Sequence, residues 1–284
     1  MTWTVYRVSF RLLSPVHVGW RKLGNLQQTR PYVTGRSLWG ALTARLTRIS
    51  GSNDYAGMGK RVDDELAFTY FYPSAKRGKN ALWPWGDTRD EFEWTFLGSY
   101  ASTGLGDAHS AEAGSLHETE FIAPYTRNKE HVYLVGYIFE QDNCNLPWKS
   151  ILDRLQLGGE RGYGWGRAQV LDQCKHVKGR TCFGYKVIHT QNRPQIIVPK
   201  NGRLLAHTCT DGVNGTGSIE PFLGRETRDA KGYGGSFSHP KICWVPGSEV
   251  AQDETFRIRA KGIWEKQGVH EDGSAPAEVQ DVSD

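Results

Sequence analysis

Over its first 53 residues this 284-residue chain contains no aspartate or glutamate. The charge of Arg7, Arg11, Arg21, Lys22, Arg30, Arg36, Arg45 and Arg48 is therefore uncompensated within the segment, at +8. Long apolar runs are also missing. The longest, such as Val132-Tyr133-Leu134-Val135, fall far short of the ~20 residues that cross a bilayer. With Arg7 and Arg11 interrupting the N-terminal stretch, neither a membrane span nor a signal peptide is expected. Cysteine is scarce and odd in number: Cys144, Cys174, Cys182, Cys209 and Cys243 show no Cys-x-x-Cys spacing. That excludes a disulfide framework or a zinc ribbon and points to a reducing cytoplasm.

What is present suffices for folding. Hydrophobic residues make up 38% and aromatic residues 12% of the chain, too much core-forming material for a disordered protein. The length allows one large or two ordinary domains. The formal net charge of +4 combines the basic first segment, a nearly neutral middle and a tail, 267–284, with five acidic and no basic residues. The tail reads as disordered. Arginine outnumbers lysine in the first segment, and a planar guanidinium suits bidentate contact with phosphate. A polyanion is the natural partner, the alternative being a solvated surface whose acidic partners lie elsewhere in the chain.

From Trp3 to Leu13, Tyr6, Val8, Phe10 and Leu12 alternate with Arg7, Ser9 and Arg11, as in a half-buried strand with a basic outer face. Ser14 to Val33 reads as a loop. Leu38, Ala41, Leu42, Leu46 and Ile49 recur at helical spacing, with Thr34 or Ser37 as N-cap and an end near Gly51. Strands are expected at Leu66–Tyr72 and His131–Glu140, with an insertion of turns and short extended pieces at about 73–130. Pro147 opens an amphipathic helix that Gly158 terminates, and Arg167–Leu171 is a further strand. The order strand, helix, strand, strand, helix, strand predicts an α+β, ferredoxin-like (RRM-like) domain over 1–172. A β-rich C-terminal domain over 173–266 follows, with extended segments at Thr181–Thr190, Pro194–Pro199, Arg203–Cys209, Lys241–Pro246 and Glu254–Trp264.

Between that helix and strand, Leu157-Gly158-Gly159-Glu160-Arg161-Gly162-Tyr163-Gly164-Trp165-Gly166-Arg167 holds five glycines, two arginines and two aromatics. Glycines let main chain approach a ligand and turn N–H groups into anion-binding nests. Arg161 and Arg167 are placed to neutralise phosphates, and Tyr163 or Trp165 to stack on a base. The alternative is a tight turn with no ligand. The P-loop Lys-Ser/Thr pair is absent, and a dinucleotide site would need a strand before the loop, so ATP and NAD are disfavoured and no cofactor is expected.

The loop resembles the Gly-Gly-x-x-x-x-Gly-x-Gly loop of the RAMP superfamily of CRISPR-associated proteins. Ser14-Pro15-Val16-His17-Val18-Gly19, followed by Pro31-Tyr32-Val33-Thr34-Gly35-Arg36-Ser37-Leu38-Trp39-Gly40-Ala41-Leu42, is similar to that family's approach to its first helix. Thr34, Arg36 and Trp39 depart from the usual proline, small and basic residues. The matches cover residues ~5–50 and ~130–172, and not the C-terminal third.

The resemblance implies a subunit of a type III RNA-guided interference complex, most like the handle-binding group. Its partners would be CRISPR RNA, backbone subunits and the large signalling subunit. A backbone subunit coating the guide is an alternative, although the aspartate with which such subunits cut target RNA has no counterpart in Ser14–Val33. A metal-independent repeat endoribonuclease is another, with His17 as its general acid or base. A Trp-rich carbohydrate-binding β-protein is the more distant reading. For the handle-binding role the expected RNA contacts are Arg7, Arg11, Arg21, Lys22, Arg30, Arg36, Ser37, Gly158, Gly159, Arg161, Gly162, Tyr163, Gly164, Trp165, Gly166, Arg167, Arg225 and Lys231. No catalytic residue is expected.

Other features are weaker. Cys174-x-His176 and His207-x-Cys209 allow a Cys2His2 zinc site to be drawn, but chance placement explains them and no metal is expected. Trp83-Pro84-Trp85 and Phe92-Glu93-Trp94-Thr95-Phe96 suggest a surface for a neighbouring subunit. Glu226 and Asp229 obey no carboxylate-pair spacing. Residues 224–235 repeat the basic, aromatic and glycine mixture as a second RNA-facing or partner-facing loop.

Overall fold

The computed structural model describes residues 2–77, 81–107, 110–171, 175–177, 181–190, 192–226 and 235–268. The alternation at the N-terminus makes a strand, β1 (Trp3–Leu12). Val8, Phe10 and Leu12 are buried on one face, and Trp3 and Val5 on the other. The strand Tyr133–Gln141 (β8) lies antiparallel beside it from Trp3↔Gln141 to Arg11↔Tyr133. Leu66–Phe68 (β4) and Tyr72–Ser74 (β5) pair with the far side of β8. Ala168–Val170 (β9) and Lys175–His176 (β10) pair with the free side of β1. All these ladders are antiparallel, with β1 and β8 central and β4, β5, β9 and β10 on the outside of the sheet.

Helix α1 (Gly35–Ile49) begins where expected. Thr34 holds an extended backbone and its side chain accepts from the Ser37 N–H, satisfying one unpaired donor of the first turn. Its buried Leu38, Ala41, Leu42 and Leu46 join Val8, Phe10 and Leu12 in one cluster. A 3-10 helix, Trp148–Arg154, places Trp148, Ile151 and Leu152 in the same cluster, with Trp148 edge-on to Tyr6 at 5.6 Å. Both helical connections thus cover one face of the sheet.

The C-terminal strands cover part of the other. Thr181–Cys182 (β11), Tyr185–Ile188 (β12), Gln195–Val198 (β13) and Thr208–Cys209 (β14) join Ile219–Phe222, Lys241–Trp244, Glu254–Ile258 and Trp264–Lys266 in an eight-stranded sheet. Val187, Ile196, Val198, Leu204, Phe256 and Trp264 share a cluster with Trp3, Val5, Ala67, Val135 and Phe139. The expected C-terminal extended segments are therefore present, and they close a joint core with the first sheet. Only Thr208–Cys209 of Arg203–Cys209 is ladder. The boundary at 172/173 and residues 269–284 of the acidic tail lie outside the described residues.

Several expectations need correction. Ser14–Val33 contains a hairpin, Gly19–Leu23 (β2) and Leu26–Thr29 (β3), which joins Leu97–Ser102 (β6) and His117–Ile122 (β7) from the insertion in a sheet ordered β2-β3-β7-β6. Two helices are not foreseen by the sequence pattern: α2 (Tyr55–Glu65) and α3 (Arg89–Phe96). In α2 only Gly59 and Val62 are buried, and its signals are the Asp54 side chain accepting from the Gly57 N–H and the Lys60–Asp64 and Arg61–Glu65 pairs one turn apart. The Leu66–Tyr72 strand is interrupted at Thr69–Phe71, where Phe71 instead bridges Val33. The helix after Pro147 is 3-10, and it ends at an extended Leu155 before reaching Gly158. Among the described residues no helix is long and apolar enough to cross a membrane.

Candidate nucleic-acid interface

The glycine-rich loop folds back onto the segment that follows β1. The Gly159 N–H donates to the His17 carbonyl at 2.8 Å, the Gly166 N–H to the Pro15 carbonyl at 2.7 Å, and the Arg167 N–H to Ser14 Oγ at 2.9 Å. At its neck the Leu157 N–H donates to the Gly166 carbonyl at 2.8 Å. Gly158 and Gly166 have φ of +77° and +83°, and a Cβ would stand 2.1 Å from the His17 oxygen and 2.2 Å from the Leu157 oxygen respectively. These two glycines are required by contact with the chain's own backbone. N–H groups of residues 159, 163, 164, 165 and 166 are occupied by chain carbonyls, so the expected anion nest is largely closed and the loop's side chains carry its chemistry.

Those side chains point to three places. Arg161, whose Nε donates to the Gly158 carbonyl at 3.0 Å, lines a pocket of ≈ 330 Å³ with Gly158, Gly159 and Arg48 of α1. Tyr163 is 79% exposed at the tip, and Gly162 and Gly164 beside it face open space. Trp165 instead packs edge-on to Phe121 of β7 at 5.1 Å, which fixes the loop to the small sheet. Beyond the loop, Arg11 lies opposite Gln169 and donates to its Oε1 at 2.7 Å. Opposite partners and alternate residues share a face, so Arg11, Gln169 and the exposed Arg167 stand together, next to Tyr133 opposite Arg11 on β8. Arg11 and Arg167 thus meet at the root of the loop on the face of β1 opposite α1, whereas the pocket of Arg161 and Arg48 lies on the α1 side.

Not every expected arginine belongs to that surface. Arg30 is buried, with Nη1 in an ion pair to Glu220 Oε1 at 2.5 Å. His207, fully buried, donates from Nε2 to the same carboxylate at 2.6 Å while its Nδ1 accepts from the Tyr70 hydroxyl at 2.7 Å. Burial and the Arg30 charge hold His207 down at about 4. Burial opposes ionisation of Glu220, but the His207 bond, the Arg30 charge and the Trp20 indole N–H overcome it and hold the carboxyl at about 2. Arg36 likewise donates to the Gly224 carbonyl and to Glu226, which also pairs with Lys261. Arg30 and Arg36 therefore tie the N-terminal half to the C-terminal strands and are withdrawn from the RNA-contacting set.

Ser37 sits in the α1 cap, its hydroxyl 3.0 Å from that of Thr34. Arg7 is half-buried in the centre of the first sheet. Arg21 and Lys22 are exposed on β2, away from α1, with the Arg21 guanidinium 4.1 Å over the Trp20 ring. Arg225 stacks over Phe237 at 4.9 Å. Lys231 and Asp229 lie outside the described residues, as do most of 224–235. His17 is 7% exposed, its Nδ1–H donates to the Glu120 carbonyl at 2.7 Å, and its ring lies against Gly159.

Cys174 lies outside the described residues, and His207 is already held on both nitrogens, which removes it from the imagined zinc set. Trp83 and Trp85 stack at 5.2 Å on the shared core, while Trp94 is 68% exposed. Arg48, Tyr133 and Gln169 stand beside the expected residues without having been expected there. Only Arg48 had a signal in the sequence, as a member of the acid-free segment.

No protein-family profile matches this sequence, and no curated protein matches it. Among solved structures the fold is similar to a chain of the type III-B Cmr-beta complex bound to cognate target RNA and AMPPnP. That likeness has a TM-score of 0.51 at 13% identity and covers 86% of this chain and 85% of that one. A chain of Cmr-beta bound to cognate target RNA overlaps 58% of this chain and 96% of its own length, at 11% identity and a TM-score of 0.40. At such identities the likeness is one of fold.

Proposed function

We propose that this chain is a non-catalytic subunit of a type III CRISPR RNA-guided complex and that it holds the repeat-derived 5′ handle of the guide RNA. The observation that carries the reading is the gathering of basic and aromatic side chains about the glycine-rich loop: Arg11, Arg167 and Tyr133 on the sheet face at its root, and Arg161 with Arg48 lining a pocket on the α1 side. The strand order, with β1 and β8 central and helical connections on one face, supports the RRM-like reading, since that is the split βαβ arrangement. The fold likeness to a Cmr-beta chain supports the complex. On this reading the guanidinium groups bind phosphates, Tyr163 stacks on a splayed base, and the chain works in the cytoplasm with backbone and signalling subunits.

On this reading His17 performs no chemistry. Its ring is packed beneath the loop and one nitrogen is bound to Glu120, whereas a general base must reach the ribose hydroxyl. Repeat RNA incubated with the chain in EDTA is expected to remain intact. Substituting Arg161→Ala together with Arg167→Ala should weaken binding of repeat-derived RNA about a hundredfold or more, each lost charge-assisted contact being worth ~1.5–3 kcal/mol. Undiminished affinity in a folded double variant would reject the interface, and cleavage abolished by His17→Ala would establish the nuclease.

A further inference from the structure

In the C-terminal sheet, β14 and Lys241–Trp244 run antiparallel with Cys209 directly opposite Cys243. The Thr210 N–H donates to the Ile242 carbonyl at 3.2 Å, which makes the adjoining cysteine pair the non-hydrogen-bonded kind. In such pairs the Cα atoms approach to about 4.5 Å, within the ~4.4–6.8 Å that a disulfide spans. Both thiols are free. Their surroundings differ. Cys243 is fully buried, whereas Cys209 lines a cleft of ≈ 390 Å³ with Asp211, Lys241, Glu265 and Lys266. The Cys209 S–H donates to Glu265 Oε1 at 3.8 Å; the facing Cys243, then Lys241, outweigh burial and lower the Cys209 thiol from its ordinary range while Cys243 is pushed up.

We propose that Cys209 and Cys243 form a redox-active dithiol whose co-reactant is a low-molecular-weight disulfide of the glutathione class. The cleft has the volume of a small-molecule site, and of the two cysteines Cys209, 9% exposed, is the one that lines it. The Cys209 thiolate attacks one sulfur of the small disulfide, forming a mixed disulfide and releasing one small thiol. Cys243 then attacks the Cys209 sulfur, breaking the mixed disulfide and releasing the second. The two cysteines lose two electrons and two protons, and the small disulfide takes up both as two thiols. The product bond joins β14 to Lys241–Trp244 without moving either strand, because their register already faces the sulfurs.

The test is incubation of the full chain with glutathione disulfide, followed by non-reducing peptide mapping by mass spectrometry. The expected product is a Cys209–Cys243 linked peptide that dithiothreitol removes. In Cys243→Ser, glutathione should remain trapped on Cys209, and Cys209→Ser should give neither crosslink nor adduct at Cys243. A reading that needs no variant is alkylation of the wild-type chain by iodoacetamide. Cys209 should react about tenfold or more ahead of half-exposed Cys144, whose thiol burial and Glu65 push up to about 11. An absent crosslink, no adduct on Cys209 in Cys243→Ser, or Cys144 reacting as fast as Cys209 would each overturn the proposal.

Discussion

His207 shows how a single buried side chain sets a measurable pH dependence. An unfolded histidine titrates near ~6.5, while in the folded chain burial holds this one at about 4. As pH falls from 6.5 to 4 the unfolded chain takes up a proton that the native state refuses, so stability is lost across that window and is intact above it. The full effect is about 3 kcal/mol, since moving a pKa by one is worth ~1.4 kcal/mol. Asp63, pushed up to about 6 by burial, works in the opposite sense over the same range, so the clean observable is a difference between two proteins. Urea unfolding of wild type and His207→Gln should converge by about 3 kcal/mol between pH 7 and pH 4. Parallel stability curves would show that His207 is not held neutral. Neither this histidine nor Arg30 was legible in the sequence as structural: Glu220 is 190 positions from Arg30, and it reaches His207, 13 positions away, only through the folding of the C-terminal sheet.

At the scale of elements, the readable parts were those whose signal is local. Leu38, Ala41, Leu42 and Leu46 carry α1 by spacing, Thr34 caps it from three residues away, and alternation carries β1. Helices α2 and α3 escaped because capping, charge pairs and Phe92 with Phe96 specify them over too short a span for periodicity to register. The β2–β3 hairpin escaped because β2 is exposed along its length, leaving no alternation to read, and its sheet depends on β7, about ninety positions later. The loop at 157–167 was recognised, but its glycines have two different reasons. Gly158→Ala places a methyl group against the His17 carbonyl at positive φ and should destabilise by more than ~1 kcal/mol, whereas Gly162→Ala meets open space and should stay within ~0.5 kcal/mol of wild type. Denaturant midpoints for the two variants decide this. Equal midpoints would mean that the loop does not rest on the Ser14–Val18 segment.

For the whole molecule, the acid-free first segment proved to serve two purposes that composition alone merges. Arg30 and Arg36 are paired internally with Glu220 and Glu226 and fasten the two halves, while Arg11 and Arg48 remain with Arg161 and Arg167 around the loop. Net charge counts both kinds equally, so composition alone overstates how many of these arginines are left for a polyanion. The shared core of Trp3, Val5 and Phe139 with Ile196, Phe256 and Trp264 also means that the C-terminal strands are part of the platform on which that surface is built. The measurement that bears most directly on the surface is the affinity of the intact chain for repeat-derived single-stranded RNA across a series of salt concentrations. Four guanidinium contacts predict that log K falls against log salt with a slope of about −2.8, at ~−0.7 per phosphate, and that Arg161→Ala with Arg167→Ala reduces it to about −1.4. A slope near zero, or one unchanged in the double variant, would contradict the account.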